Sequence, residues 1–141
     1  MRDFTKWEIQ YHYPHMRDFE VNLIEKYILE YPRAYEEVAY SYPVGHGAPT
    51  NPIVNDETEG SVEYLYYKKI DILAKKQGKI TIIEVKKKAG ASAIGQVLGY
   101  RDLYILDEKL STKPSCVILT DEASPDLLHI AKKQGVEIIV V

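Results

Sequence analysis

Three polar residues interrupt two strongly apolar stretches. Asp71 lies in Lys69-Ile70-Asp71-Ile72-Leu73, and Glu84 and Lys86 lie in Ile82-Ile83-Glu84-Val85-Lys86. Both stretches read as strands, and Gln77-Gly78 between them reads as the turn of a β-hairpin. Strand alternation places Glu84 and Lys86 on one face. Pairing through the Gln77-Gly78 turn brings Asp71 and Glu84 to nearly opposite positions. Two carboxylates that close repel one another unless a proton, a lysine or a metal lies between them. Hard oxygen ligands of this kind suit Mg²⁺ or Mn²⁺. The same residues could instead form a surface ion-pair ladder with the nearby lysines, the commoner fate of a lone strand acid. Three such interruptions at related heights in adjoining apolar strands weigh against that alternative.

A second group follows in Ile94-Gly95-Gln96-Val97-Leu98-Gly99-Tyr100. Gln96 and Tyr100 are four apart, hence on one face of a helix. Ser92 can cap that helix, which starts near the strand end carrying Glu84 and Lys86, and helix N-termini attract phosphate. Gly95 and Gly99 allow close approach of the backbone to the sheet or to a ligand. Other reactive side chains point elsewhere. His46 belongs to a loop, His12 and His15 to the surface near the first strand, and Cys116 in Ser-Cys-Val-Ile-Leu to the core.

The elements that must position these groups are legible in the periodicity. Trp7, Ile9, Tyr11 and Tyr13 alternate with polar residues, predicting a strand over 5–13 that ends at Pro14. Its aromatics, if uncovered, would favour a homodimer. Asp18 is the expected N-cap of a helix over 19–31, on whose apolar arc Glu20 lies. Strands follow over 36–44, 62–74 and 79–86, with a loop from Gly45 toward Gly60. A helix from Ser92 to Asp107, a strand over 115–120, a helix opening at Ser124-Pro125-Asp126 and a strand over 136–141 complete the order. The pattern predicts an α/β domain with a mixed central sheet, an antiparallel meander joined to a parallel β-α-β unit, flanked by helices.

Composition narrows the class. The chain has 141 residues, 45 % of them hydrophobic and 28 % charged, as in globular domains. We expect one domain over 1–141, with 1–17 an N-terminal extension, 18–120 the region carrying the motifs, and 121–141 a closing helix and strand. The first residues lack the apolar stretch of a signal peptide. Cys116 is the single cysteine, which excludes an intrachain disulfide and cysteine-cluster zinc sites and leads us to expect a reducing, cytoplasmic setting without membrane partners. The net charge of −3 conceals an asymmetry: residues 68–88 hold 8 lysines against 2 acids. Such a block points either to an anion-binding surface or to a solvated hairpin.

Taken together, Asp71, Glu84-Val85-Lys86 and Gln96-Val97-Leu98-Gly99-Tyr100 resemble the PD-(D/E)XK nuclease superfamily. The last element looks like the Q-x-x-x-Y motif of its RecB-like branch, found also in NucS-type endonucleases. The resemblance implies a restriction-endonuclease-like core and a metal-dependent DNA endonuclease acting in repair, recombination or restriction. A non-catalytic nucleic-acid-binding module on the same fold is the alternative. In the nuclease reading, Asp71, Glu84, Lys86, Gln96 and Tyr100 are catalytic. Asp71, Glu84, the Val85 carbonyl and Glu20 would bind Mg²⁺ or Mn²⁺. Lys68, Lys69, Lys87, Lys88, Ser92 and Tyr100 would contact DNA, with Lys75 and Lys76 as further phosphate neighbours. By the same resemblance a small nuclease would act as a homodimer to cut two strands. Ile70 stands where many members carry proline, and Tyr67-Lys68-Lys69 replaces a frequent glycine.

Overall fold

A computed structural model describes residues 4–45 and 68–141. Among these, strands β1 (Thr5–Lys6), β2 (Glu37–Val44), β3 (Lys68–Lys76), β4 (Lys79–Lys88), β5 (Ser115–Glu122) and β6 (Val136–Val140) form one sheet, ordered as in the chain. Neighbours from β1 to β4 run antiparallel, and β4, β5 and β6 run parallel. Helix α1 (Asp18–Glu30) covers one face; α2 (Ala91–Glu108) and α3 (Pro125–Lys133) cover the other. The expected α/β order is therefore present. The loop expected from Gly45 to Gly60 lies almost wholly outside the described residues, as do His46 and residues 62–67 of the expected strand.

Two apolar layers hold the sheet. Leu23, Ile24, Tyr27 and Ile28 of α1 pack on Val38, Ile72, Ile83 and Leu119. Ala93, Ile94 and Val97 of α2, with Leu127 and Ala131 of α3, pack on Leu73, Ile82 and Ile118. The central strands β3, β4 and β5 are buried on both sides, so they read as nearly continuous apolar runs. A polar residue inside such a run needs a local reason, and the site provides one.

The N-terminal strand departs from expectation. Only Thr5 and Lys6 pair, against Val38 and Glu37. Beyond them the chain is fixed by aromatic anchors instead of ladder bonds. Trp7 packs edge-on against Tyr27 and Tyr35, and its indole N–H donates to the Tyr31 carbonyl at 2.9 Å. Tyr13 is buried against Tyr40, whereas Ile9 and Tyr11 stand in solvent. Alternation there marks side chains inserted one by one into the α1 layer. The strand that borders β2 at this edge of the sheet is thus two residues long.

Two caps also move. Arg17, not Asp18, is the N-cap of α1; Glu20 Oε1 accepts the Arg17 backbone N–H at 3.0 Å, and the guanidinium has no acceptor to return a bond. Gly90, not Ser92, caps α2, leaving Ser92 exposed in its first turn. At α3 the expected cap is found: Ser124 Oγ accepts the Leu127 N–H.

Candidate active site

The β3–β4 ladder is regular from Lys76↔Lys79 to Ile72↔Ile83 and stops there. The next pair would be Asp71 and Glu84. Instead the strands part, and Asp71 Oδ2 accepts the Val85 N–H at 2.8 Å. The side chain thus satisfies a backbone donor that the ladder leaves open. On its other side Asp71 is also unpaired in the ladder. Tyr40↔Ile72 and Tyr42↔Ile70 flank a gap at Ser41 and Asp71. Ser41 has φ +52°, in the left-handed region. Tyr40 and Ile72 pack on the α1 side, yet Tyr42 and Ile70, two residues on, pack on the α2 side. Residues two apart in a strand share a face, so this irregularity swaps the faces of both strands. Asp71 sits where the swap occurs.

The parted strands border a cavity of about 300 Å³ lined from both helical layers. Asp71, Glu84, Val85 and Lys86 form its sheet wall; Glu20 enters from α1; Gln96 and Tyr100 enter from α2. All seven residues expected to act in catalysis or metal binding therefore meet in one place. Lys69 lines the same cavity. Lys68 and Ser92 line an adjoining hollow of about 580 Å³ that shares Gln96 and Tyr100. In that hollow Gly95 and Gly99 face open space: a Cβ on either would meet nothing within 4 Å. They do not serve contact with the sheet.

Lys87 and Lys88 lie outside both hollows. Lys88 Nζ stands 3.9 Å from Glu122 Oε2, both side chains exposed, an arrangement worth little energy. The Lys87 carbonyl accepts the Thr120 hydroxyl. Cys116 is core, as expected, with its thiol toward the Val97 carbonyl.

The electrostatics centre on Glu84, which is 5 % exposed. Burial pushes its carboxyl up to about 10; the hydrogen bond and charge of Asp71 add to the shift, Glu20 adds further, and Lys86 opposes it. Its Oε2 is buried without a hydrogen-bond partner, a costly state. Glu20 is also raised, chiefly by burial and then by Asp71, while the Arg17 backbone bond and the charges of Arg17 and Lys86 pull it down. Tyr100 is raised by burial and by the charges of Glu84 and Asp71. The Gln96 Oε1 is likewise buried and unpartnered.

Two facing carboxyls with an orphaned oxygen form a donor set suited to one hard cation. Among the described residues no three His, Cys, Asp or Glu side chains gather closely enough to hold a metal by themselves. Glu20 stands back because Oε1 caps its own helix. Further ligands would come from the Val85 carbonyl and water.

Sequence reasoning missed Arg17, Phe19 and Ser41 as cavity residues; His15, exposed as expected, also lines the cavity. Ser41, a buried hydroxyl between Tyr40 and Tyr42 in an apolar strand, carried a readable signal. The others reach the site only through the path of the chain between Pro14 and α1.

No family model and no curated protein matches the sequence. Solved structures do share the fold. A repair endonuclease from Pyrococcus abyssi superimposes with a TM-score of 0.51 at 19 % identity, over 92 % of this chain and 49 % of that one. The complex of EndoMS with dsDNA superimposes with a TM-score of 0.51 at 15 % identity, over 94 % of this chain and 48 % of that one. The chain spans about half the length of these proteins. Its mixed sheet and flanking helices are the restriction-endonuclease-like fold that the motif implied.

Proposed function

We propose that this chain is a metal-dependent DNA endonuclease acting in DNA repair. The single observation that supports the reading most is the buried Glu84 with its unmet oxygen, set against Asp71 where the ladder parts and beside Lys86 in an open cavity. Such a pair costs the fold stability, and a bound cation would offset that cost. The likeness to a repair endonuclease and to a DNA-bound protein supports the choice of substrate.

In this reading Asp71, Glu84 and the Val85 carbonyl hold Mg²⁺ or Mn²⁺, with Glu20 acting through water. When bound, the ion polarises the scissile phosphate and lowers the pKa of a water. Lys86 orients the attacking water and offsets charge gathering on the phosphate oxygens. Gln96 offers its amide, and Tyr100 its hydroxyl, to the backbone of the bound strand. Lys68 and Lys69 neutralise flanking phosphates, which makes binding salt-dependent. Lys87 and Lys88, outside the cavity, contribute only at longer range.

A panel of labelled duplex, flap, single-strand and four-way-junction DNAs with Mg²⁺ or Mn²⁺ tests the proposal. Cleavage that survives in Asp71→Ala or Lys86→Ala would reject the assignment. Among the described residues no third carboxylate joins the cluster, which leaves a second reading, a non-catalytic DNA-binding module. Calorimetric titration with Mn²⁺ separates the two: heat of binding that vanishes in Asp71→Asn favours the enzyme, and no binding at all favours the module.

A further inference from the structure

Part of the cavity wall is made by the short strap between Pro14 and α1. It is held in an unusual way. Ser41 is buried, left-handed at φ +52°, and donates its hydroxyl to the Pro14 carbonyl at 2.8 Å across 27 residues of chain. His15, the next residue of the strap, is also left-handed at φ +56°. Two non-glycine residues in this region, one of them bonded to the carbonyl of the residue before the other, are a costly way to route a chain. Such strain persists where the surroundings over-determine it, and it gathers at functional sites. Here it fixes the segment that delivers His15 and Arg17 to the cavity.

The cavity needs what Arg17 offers. Its walls carry the carboxyls of Glu20, Asp71 and Glu84, which repel a polyanion until cations answer them. Lys69 and Lys86 answer from the sheet side. Arg17 answers from the strap side: it is exposed, and among the described residues its guanidinium is in no ion pair. Its backbone N–H is committed to Glu20, and its guanidinium, whose charge also favours the Glu20 carboxylate, is exposed to a ligand. A planar fork of N–H donors matches two phosphate oxygens.

We infer that Arg17 binds the DNA phosphate next to the scissile one, and that Ser41 is the positioning residue that holds the strap from which Arg17 reaches it. The inference rests on the endonuclease reading for its substrate, and the test separates the two. Binding of a short fluorescein-labelled duplex is followed by anisotropy in EDTA over a salt series. Arg17→Ala is expected to weaken binding roughly ten-fold, the worth of a charge-assisted bond. It is also expected to lower the slope of log affinity against log salt by about 0.9. Arg17→Lys restores the slope but not the full affinity. Ser41→Gly, which tolerates the left-handed backbone but lacks the hydroxyl, raises KM for cleavage several-fold more than it lowers kcat. Unchanged affinity and slope in Arg17→Ala overturn the inference and leave the endonuclease reading standing. A wild type that binds with an Arg17-dependent slope but cuts no DNA removes the endonuclease reading and keeps this one. A wild type that neither binds nor cuts overturns both.

Discussion

The two ends of the β3–β4 hairpin share composition and differ in everything that matters for chemistry. At the turn end the ladder closes through Lys76↔Lys79, and Gln77 and Gly78, with φ +50° and +76°, make the left-handed pair of a type I′ turn. Polar groups there are spent on the fold. Lys76 donates to the Arg33 carbonyl, Glu36 Oε1 accepts the Gln77 N–H, and Lys75 lies over the Phe4 ring. At the open end the ladder stops, Asp71 replaces a backbone acceptor, and Glu84 keeps an oxygen with no partner. The turn end even borders the larger hollow, about 690 Å³ between Lys6, Glu36, Glu37 and Lys75. The unmet oxygens of Glu84 and Gln96 beside Asp71 and Lys86, not volume, mark the site.

The contrast also divides the lysine block. Lys75, Lys76 and Lys79 fall at the turn end; Lys68, Lys69, Lys86, Lys87 and Lys88 fall at the open end. Five residues of β3 and six of β4 lie between the groups, a separation of about 20 Å. A run that looks like one basic patch in the sequence is two, and only the second adjoins the cavity.

The strongest way to break the comparison is to exchange charge loss between the ends. Lys86→Ala should lower the cleavage rate about 10²–10³-fold, as removal of one donor to a charged transition state does. Lys76→Ala should leave it unchanged in the same gel assay. Equal losses would mean that the block acts as a whole.

Next in size is the cost of the open end to the fold. A carboxyl raised from 4.5 when folded binds its proton more tightly than in the unfolded chain. Its contribution to stability is therefore complete below pH 4.5 and falls as pH rises toward about 10. In chelator, Glu84→Gln should stabilise the protein at pH 8 by about 1–3 kcal/mol, the cost of an unsatisfied buried group. It should also flatten the decline, read by thermal melts across pH. Mn²⁺ should raise the melting temperature of the wild type and not of Glu84→Gln. A wild-type curve that rises from pH 5 to pH 8 would count against the buried pair.

Smaller effects sharpen the picture. Gly95→Ala and Gly99→Ala should each stabilise α2 by about 0.5–1 kcal/mol, because helical glycine costs that much and neither Cβ meets a neighbour. A simultaneous loss of DNA binding would show that the bare helix face is used by the ligand. Smallest of all, Gln77→Asn should firm the turn end by a few tenths of a kcal/mol, since asparagine suits φ > 0. Cleavage should not change.

Much of this molecule was legible from residue order. The hairpin could be placed because Gln77-Gly78 is a turn signal between apolar runs, and α3 because Ser124-Pro125-Asp126 carries its own cap. Asp71, Glu84 and Lys86 stood out because polar side chains inside doubly buried strands are expensive. Alternation over 5–13 misled because period two also arises when separate aromatics, here Trp7 and Tyr13, enter a neighbouring layer without a partner strand. The caps at Arg17 and Gly90 were missed because Asp18 and Ser92 have the preferred side chains one and two positions later, and the chain entry angle decided between them.

Sequence by itself determined most of the strand and helix types, the polar residues that could not be idle in a core, and the face that Glu84 shares with Lys86 and Gln96 with Tyr100. Local propensity and periodicity reach that far because they depend on residues a few positions apart. Tertiary structure alone decided that the β3–β4 ladder parts at Asp71, that the strand faces swap at Ser41, and that the Pro14–Arg17 strap lines the cavity. Those outcomes come from bonds between segments many residues apart, whose energies no local pattern records.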